Sequence, residues 1–142
     1  MLQEGPRILI VEADLACRSR LDAVFEAYGF DVTTVDSAIG AAGLVADLQP
    51  DVILLDVALP YRSGANWLSK LKLDPRTASI PVVMLSSLPD ILPIARRNLA
   101  FAVIRKPFDT KALVHTVQAA CTHRQRRPLT IGSASSQPLG LL

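Results

Sequence analysis

The stretch Asp51-Val-Ile-Leu-Leu-Asp56 places four apolar residues between two acids. A short, continuous apolar run rich in branched residues is typical of a strand that is buried on both faces of a parallel sheet. The run therefore predicts a strand over residues 51–55, with Asp56 at its carboxyl end. In open α/β sheets ligands bind outside the carboxyl ends of the strands, so this stretch indicates both a fold class and the place of a site.

The same alternation continues along the rest of the chain. Apolar runs predict four further strands, over residues 7–11, 30–35, 81–85 and 101–104. Helical spacing and capping residues predict five helices, after Asp14, over 37–48, over 65–73, over 89–100 and after Asp109. Residues 59–64, with their proline and glycine, are expected to form a loop. Strands and helices in strict alternation predict an α/β fold, a doubly wound five-stranded parallel sheet covered by helices on both faces.

Composition narrows the class of protein. The 142 residues are 50% apolar, which is enough for one domain with a substantial core. The 15 basic and 13 acidic residues nearly balance, so no overall field favours nucleic acid or an anionic membrane. Two cysteines without a paired-cysteine motif suit a reduced setting, and the first six residues do not resemble a signal peptide. A cytoplasmic protein with no membrane association is expected.

The domain is expected to span residues 1–123. Residues 124–142 begin with arginines and continue with many Ser, Gly and Pro, which predicts a disordered tail. The arginines suit the end of the last helix and the solubility of the chain, so no direct contact with nucleic acid is predicted. The tail is too short and polar to fold alone, so any output is expected to pass through a partner, through self-association, or through a further domain that this sequence does not contain.

Four polar residues stand at the predicted carboxyl ends of strands: Glu12, Asp56, Ser86 and Lys106. A carboxylate that is kept ionised by a neighbouring cation can attack phosphorus. Phosphoryl transfer also requires the charge on the phosphoryl oxygens to be neutralised, for which an ammonium group, a hydroxyl and a divalent ion are suited. These side chains are therefore candidates for a phosphoryl-transfer site.

Several motifs in the chain resemble those of response-regulator receiver domains of bacterial two-component systems. The matching segments cover about residues 7–123, and they are 8–12, 51–56 with Pro60 and Gly64, 80–87, and Lys106-Pro-Phe-Asp109. The resemblance implies a flavodoxin-like fold with strand order 2-1-3-4-5. It also implies that Asp56 accepts a phosphoryl group from a histidine kinase or phosphotransfer protein, that Ser86 binds that group, and that Lys106 pairs with it through a lysine–proline bond that is commonly cis.

Two departures from the family pattern bear on the mechanism. Family members usually carry two adjacent acids after the first strand, whereas here Glu12 is followed by Ala13. Mg²⁺ is therefore expected to be held weakly or not at all, by Glu12, Asp56 and the backbone carbonyl of Ala58. Asp14 is a further possible ligand, although a helix N-cap explains it better.

The second departure is at Val103, where the family usually has an aromatic residue that rotates on activation. Phe101, two residues away and expected on the same strand face, is a possible substitute. The interval from Ser86 to Lys106 is about two residues shorter than is usual in the family. The surface between the fourth and fifth predicted helices, through which a protein partner or a second copy is expected to bind, is consequently expected to be remodelled.

Three functions remain open from the sequence. The preferred one is a receiver, not itself an enzyme, that is phosphorylated on Asp56 and then changes its partner binding. The second is a pseudo-receiver, a protein-interaction module that uses no phosphate, which Ala13 and Val103 motivate. The third, a hydrolase or nucleotide-binding enzyme, is disfavoured because no glycine-rich phosphate loop follows the first strand.

Overall fold

A computed structural model describes residues 5–57, 61–88 and 90–126 of the chain. For residues 61–63 and 125–126 it describes the backbone only. The predictions for Ala58, for 59–60 and for the tail beyond 126 therefore lie outside the described residues.

Five parallel strands form one sheet in the order β2-β1-β3-β4-β5, as predicted. The strands β1 to β5 span Arg7–Val11, Asp31–Val35, Val52–Asp56, Val82–Ser86 and Ala102–Arg105. The helices α1 to α6 span Leu15–Ala27, Ala38–Ala42, Val45–Leu48, Tyr61–Leu73, Ile91–Arg97 and Thr110–Arg126. None of the helices in the described part of the chain is long and apolar enough to cross a membrane.

The strands bury side chains on both faces of the sheet. On one face Ile8 and Ile10 pack with residues of α1 and α6, including Phe25 and Val117. On the other face the intervening strand residues pack with residues of α2 to α5, among them Leu9, Leu55, Ala41, Leu68 and Ile91. Burial on both faces explains why the strands read as continuous apolar runs rather than as alternating ones.

Three of the predicted helix caps are present. The carboxylate of Asp14 accepts a hydrogen bond from the Cys17 backbone N–H at 2.8 Å. The Ser37 hydroxyl accepts one from Gly40 at 3.0 Å, and Asp109 accepts one from Ala112 at 2.9 Å. These short polar side chains satisfy N–H groups that have no partner within the first turn of a helix.

The prediction of a single helix over residues 37–48 is wrong. Two short helices, α2 and α3, replace it, so the described residues hold six helices rather than five. α2 ends at Ala42 with Gly43 as its C-cap, and α3 begins without a side-chain cap. Glycine is a poor helix former, and Gly40 and Gly43 lie within this segment, which accounts for the interruption.

Helix α4 also differs from its prediction, because it begins at Tyr61 rather than at residue 65. Gly64 had indicated a loop, but it lies inside the helix and is buried. A Cβ atom at this position would come within 3.0 Å of Val57 Cγ1. Gly64 therefore allows the close approach of α4 to the end of β3, and does not form a turn.

The expectation that Phe101 shares a strand face with Val103 is wrong as well. Phe101 precedes β5 and packs in the cluster on the α1 and α6 face, with its ring centroid 5.5 Å from that of His123. Val103 packs against the opposite cluster. Residues two apart share a face only within a regular strand, so Phe101 does not replace the aromatic side chain that the family carries at position 103.

The end of α1 offers a test of the backbone. Gly29 has φ +88°, and a Cβ atom there would meet nothing within 4 Å. We expect Gly29→Ala to lower the free energy of unfolding by roughly 1–2 kcal/mol through backbone strain alone. Gly43 also has open space, but its φ of −82° lies in the right-handed region that alanine adopts without strain. The free energy of unfolding of the matched Gly43→Ala variant should therefore rise by about 0.4–1 kcal/mol. Urea denaturation measures both, and equal effects would contradict the argument.

Candidate functional site

The four candidate side chains lie at one edge of the sheet. Asp56 and Ser86 are the last residues of β3 and β4, whereas Glu12 and Lys106 directly follow β1 and β5. The four strands are consecutive neighbours in the sheet, and all are parallel. Their carboxyl ends therefore present one ammonium group, one hydroxyl and two carboxylates at the same edge.

Lys106 joins the two carboxylates. Its Nζ donates a hydrogen bond to Asp56 Oδ2 and lies 3.7 Å from Glu12 Oε1. The side chains of Glu12 and Asp56 are only 1% and 2% exposed, and that of Lys106 is 25% exposed. Two buried carboxylates thus share the single ammonium group of Lys106, which cannot neutralise both negative charges.

Backbone contacts fix the positions of these residues. The Glu12 N–H donates to the Val35 carbonyl at 3.0 Å, and the Lys106 N–H donates to the Ser86 carbonyl at 2.9 Å. The Ser86 side chain is fully buried, and its Oγ accepts a hydrogen bond from the Leu88 N–H at 2.9 Å. The Lys106–Pro107 peptide bond is cis, as the resemblance implied.

The electrostatics follow from burial and from charge proximity. Burial raises the pKa of Glu12, the Asp56 carboxylate raises it further, and the Asp14 N–H and the Cys17 thiol oppose the shift. Burial acts to lower the pKa of Lys106, but its hydrogen bond and attraction to Asp56 outweigh that effect, and the pKa is raised. Lys106 is therefore held as a cation beside the carboxylate that it contacts.

The residues present fit a divalent cation. Donor atoms of Glu12, Cys17 and Asp56 lie within 4.8 Å of one another. The buried Glu12 Oε1 accepts no hydrogen bond in the described part of the chain. The expected carbonyl ligand, Ala58, lies outside the described residues. Asp14 uses its carboxylate to cap α1, which supports the N-cap interpretation of this acid.

Cys17 is the residue at this site that the sequence did not reveal. The sequence showed only one of two cysteines outside any paired-cysteine motif, whereas the thiol of Cys17 lies beside Glu12 and Asp56. Burial, then the Glu12 carboxylate, raises the pKa of this thiol to about 11. The available signal was the Asp14 cap, because side chains in the first turn of a helix lean back toward the preceding strand end.

Glu12→Gln tests the electrostatic description. Removing one of two buried carboxylates that share Lys106 should relieve repulsion while it keeps the shape of the side chain. We expect the free energy of unfolding to rise by about 1 kcal/mol in chelator-treated protein at neutral pH. Thermal and urea denaturation measure this, and Glu26→Gln, at an exposed position of α1, is the matched control. A loss of stability in Glu12→Gln alone would show that the carboxylate is net stabilising.

The order 2-1-3-4-5, with acids and a lysine at the carboxyl ends of the strands, defines the chain as a flavodoxin-like signalling module. The chain belongs to the response regulator receiver domain family, whose sequence model matches residues 8–118. It is therefore a receiver domain of the kind found in two-component systems.

Relatives and solved structures agree with this assignment. The DNA-binding dual master transcriptional regulator RpaA of Synechocystis is 35% identical over 125 residues, which is 87% of this chain and 52% of the relative. The DNA-binding response regulator MtrA of Mycobacterium tuberculosis strain H37Rv is 32% identical, over 86% of this chain and 53% of the relative. The chain thus spans about half the length of these curated relatives.

A solved structure matches over nearly the whole domain. The signal receiver domain of a signal transduction histidine kinase from Syntrophus aciditrophicus superposes with a TM-score of 0.79 at 26% identity. The match covers 91% of this chain and 100% of that one.

Proposed function

We propose that this receiver accepts a phosphoryl group on Asp56 and, by doing so, changes its binding to a protein partner. The observation that carries the proposal is the buried carboxylate of Asp56, hydrogen-bonded to Lys106 with Glu12 beside the pair. This pairing places a nucleophilic carboxylate oxygen beside a cation at the edge of the sheet where ligands bind.

Each side chain has a defined part in the transfer. An Asp56 oxygen attacks phosphorus, the phosphorus–nitrogen bond of a kinase phosphohistidine breaks, and the leaving imidazole keeps the electron pair. Lys106 binds a phosphoryl oxygen through its ammonium group, and the Ser86 hydroxyl donates a hydrogen bond to another. The role of the chain is that of a phosphoacceptor and switch rather than that of an enzyme.

Receiver domains bind Mg²⁺ in an acidic site, and an acidic group is present here. We assign the ion to Glu12, Asp56 and the carbonyl of Ala58, where it would supply positive charge to the phosphoryl oxygens. Ala13 is exposed and offers no side-chain oxygen, so binding should be weaker than with two adjacent acids.

Two pairs of exposed apolar residues support roles in partner binding. Leu15 and Ile39, 66% and 88% exposed, follow β1 and β2 at the phosphoacceptor edge, and they suit docking of a histidine kinase or phosphotransfer protein. Leu92 in α5, the fourth predicted helix, and Leu99 after it are 46% and 55% exposed. They belong to the surface through which we propose that a downstream protein or a second copy binds.

The proposed output is a protein contact in the cytoplasm. RpaA and MtrA are DNA-binding regulators by name, and that property is stated of those proteins. For this chain, the near balance of basic and acidic residues favours a protein partner over direct contact with DNA.

Incubation with acetyl phosphate and Mg²⁺, followed by intact-mass measurement, tests the proposal. We expect one added phosphoryl group with magnesium present, and no addition when a chelator is present during the incubation. No addition at any magnesium concentration would favour the alternative function, a phosphorylation-independent pseudo-receiver that binds partners through the same fold. Ala13 and Val103 are the features that motivate this alternative.

A further inference from the structure

The acidic site of this receiver contains a sulfur donor. Cys17 stands in the first turn of α1, and its backbone N–H is fixed by the Asp14 cap. Its Sγ lies with carboxylate oxygens of Glu12 and Asp56 in a group whose members are all within 4.8 Å of one another. The family's usual second acid is replaced in this chain by Ala13, which has no side-chain oxygen to offer.

A second observation points to a ligand at the same place. The Glu12 side chain is 1% exposed, and its Oε1 accepts no hydrogen bond from the described residues. A buried carboxylate oxygen without a hydrogen bond is costly, because its hydration has been lost and not replaced. Lys106 Nζ, at 3.7 Å, offsets only part of this cost because it is hydrogen-bonded to Asp56. A cation in contact with both carboxylates and the sulfur would give Glu12 Oε1 the partner that it lacks within the described part of the chain.

The donor set selects among cations. Magnesium takes oxygen ligands in octahedral geometry, and sulfur contributes little to its binding. Zinc and cobalt(II) accept carboxylate oxygen and thiolate sulfur together, with distances of about 2.0–2.3 Å for zinc. Donors already within 4.8 Å of one another need only a small side-chain adjustment to reach one such ion. Two carboxylates, one thiolate and a water would complete a four-coordinate shell.

We propose that Cys17 is a metal ligand, and that with Glu12 and Asp56 it makes this receiver site selective for zinc-class divalent ions over magnesium. The inference rests on the proposed function only in that the ion would occupy the phosphoacceptor site. As the sulfur–metal bond forms, the thiol proton passes to solvent.

Lys106 competes with the ion for the same carboxylates. Its ammonium group lies between Glu12 and Asp56, so binding of a second positive charge requires the lysine to move aside. Zinc-class binding and the Lys106–Asp56 hydrogen bond therefore oppose each other. Removal of the lysine charge in Lys106→Met should tighten the binding of cobalt(II).

Cobalt(II) titration of the full chain, kept reduced and free of phosphoryl donors, tests the proposal directly. A thiolate–cobalt bond produces a charge-transfer absorption band in the near ultraviolet, which carboxylate or histidine ligands do not produce. We expect this band in the unaltered protein, its loss in Cys17→Ser, and at least about a tenfold weaker affinity for cobalt in that variant. Zinc should abolish the band at a concentration where magnesium does not.

Cys121→Ala is the matched control. Cys121 is the other cysteine of the chain, buried in the α1 and α6 cluster and not among the clustered donors, so the variant should keep the band. Circular dichroism of both variants shows that the fold is retained. Absence of the band, its persistence in Cys17→Ser, or its loss only in Cys121→Ala overturns the proposal.

The outcome of the cobalt(II) titration does not depend on whether Asp56 is phosphorylated. A missing thiolate band together with normal magnesium-dependent phosphorylation would remove the Cys17 assignment and leave the proposed function standing. A thiolate band without any phosphorylation would support the Cys17 assignment and contradict the proposed function.

Discussion

Asp56→Asn is expected to abolish the addition of a phosphoryl group from acetyl phosphate. The amide has the size of the carboxylate but carries no charge, so it cannot attack phosphorus as an ionised oxygen does. Asp56 is the carboxylate that Lys106 contacts, and its side chain is 2% exposed. The expected result by intact mass is one added group on the unaltered protein and none on the variant.

Asp36→Asn is the matched control for this experiment. Asp36 follows β2 at the same edge of the sheet but is exposed to solvent. It should be phosphorylated no more than other surface acids, so its replacement should leave the addition unchanged. Undiminished addition to Asp56→Asn would show that another side chain is the acceptor.

Lys106→Ala is expected to slow phosphorylation of Asp56 by roughly 10²–10³-fold, the usual effect of removing one preorganised donor from a transition state. Within the part of the chain that the structure describes, Lys106 is the cation that pairs with both Asp56 and Glu12. Its loss also leaves two buried carboxylates without this partner, which should lower the free energy of unfolding by about 1–3 kcal/mol. The initial rate of addition from acetyl phosphate and urea denaturation measure the two effects.

Lys111→Ala controls for a general loss of positive charge. Lys111 is exposed in the first turn of α6. Its replacement should leave the rate of phosphorylation nearly unchanged and should change the free energy of unfolding by no more than about 0.5 kcal/mol. A Lys106→Ala protein that is phosphorylated at the normal rate would contradict the role assigned to this lysine. An unaltered stability would instead show that Glu12 and Asp56 tolerate each other without it.

The sheet was predictable because its strands are buried on both faces. The runs at 7–11, 51–55 and 81–85 contain almost no polar residue, and each was placed within one residue of the observed strand. Parallel connection then brings the carboxyl ends to one edge, so the positions of Glu12, Asp56, Ser86 and Lys106 followed from strand assignment alone.

Features that depend on contacts across the fold were not predictable in this way. Gly64 resembled a loop residue, but it lies in α4 where the helix approaches Val57 closely. Phe101 resembled a strand residue, but β5 begins one residue later and the ring packs on the α6 side. Glycine and aromatic residues serve several roles with the same local sequence, and only the packed structure distinguishes them.

Cys17 shows the same limit at the functional site. In the sequence it is one of two cysteines without a paired-cysteine motif, so it did not indicate a metal site. Its proximity to Glu12 and Asp56 arises because the Asp14 cap begins α1 directly after β1. The distance between a strand end and a helix start decides this contact, and composition or periodicity does not contain that information.

Replacement of the family's second acid leaves the proposed phosphoacceptor and its lysine in contact. Asp56 still contacts Lys106, and Glu12 is still buried beside them. What Ala13 removes is a ligand for a hard cation, and this should affect the affinity for magnesium more than the nucleophile. We therefore expect phosphorylation to require more magnesium than a site with two adjacent acids would.

Localisation of the phosphoryl group tests the central claim most directly. Protein treated with acetyl phosphate and magnesium is reduced with borohydride, which converts an aspartyl phosphate to homoserine, and is then digested and mapped by mass spectrometry. We predict homoserine at position 56 and at no other aspartate. Homoserine at a different position, or none at all with magnesium in excess, would contradict the assignment of Asp56 as the phosphoacceptor.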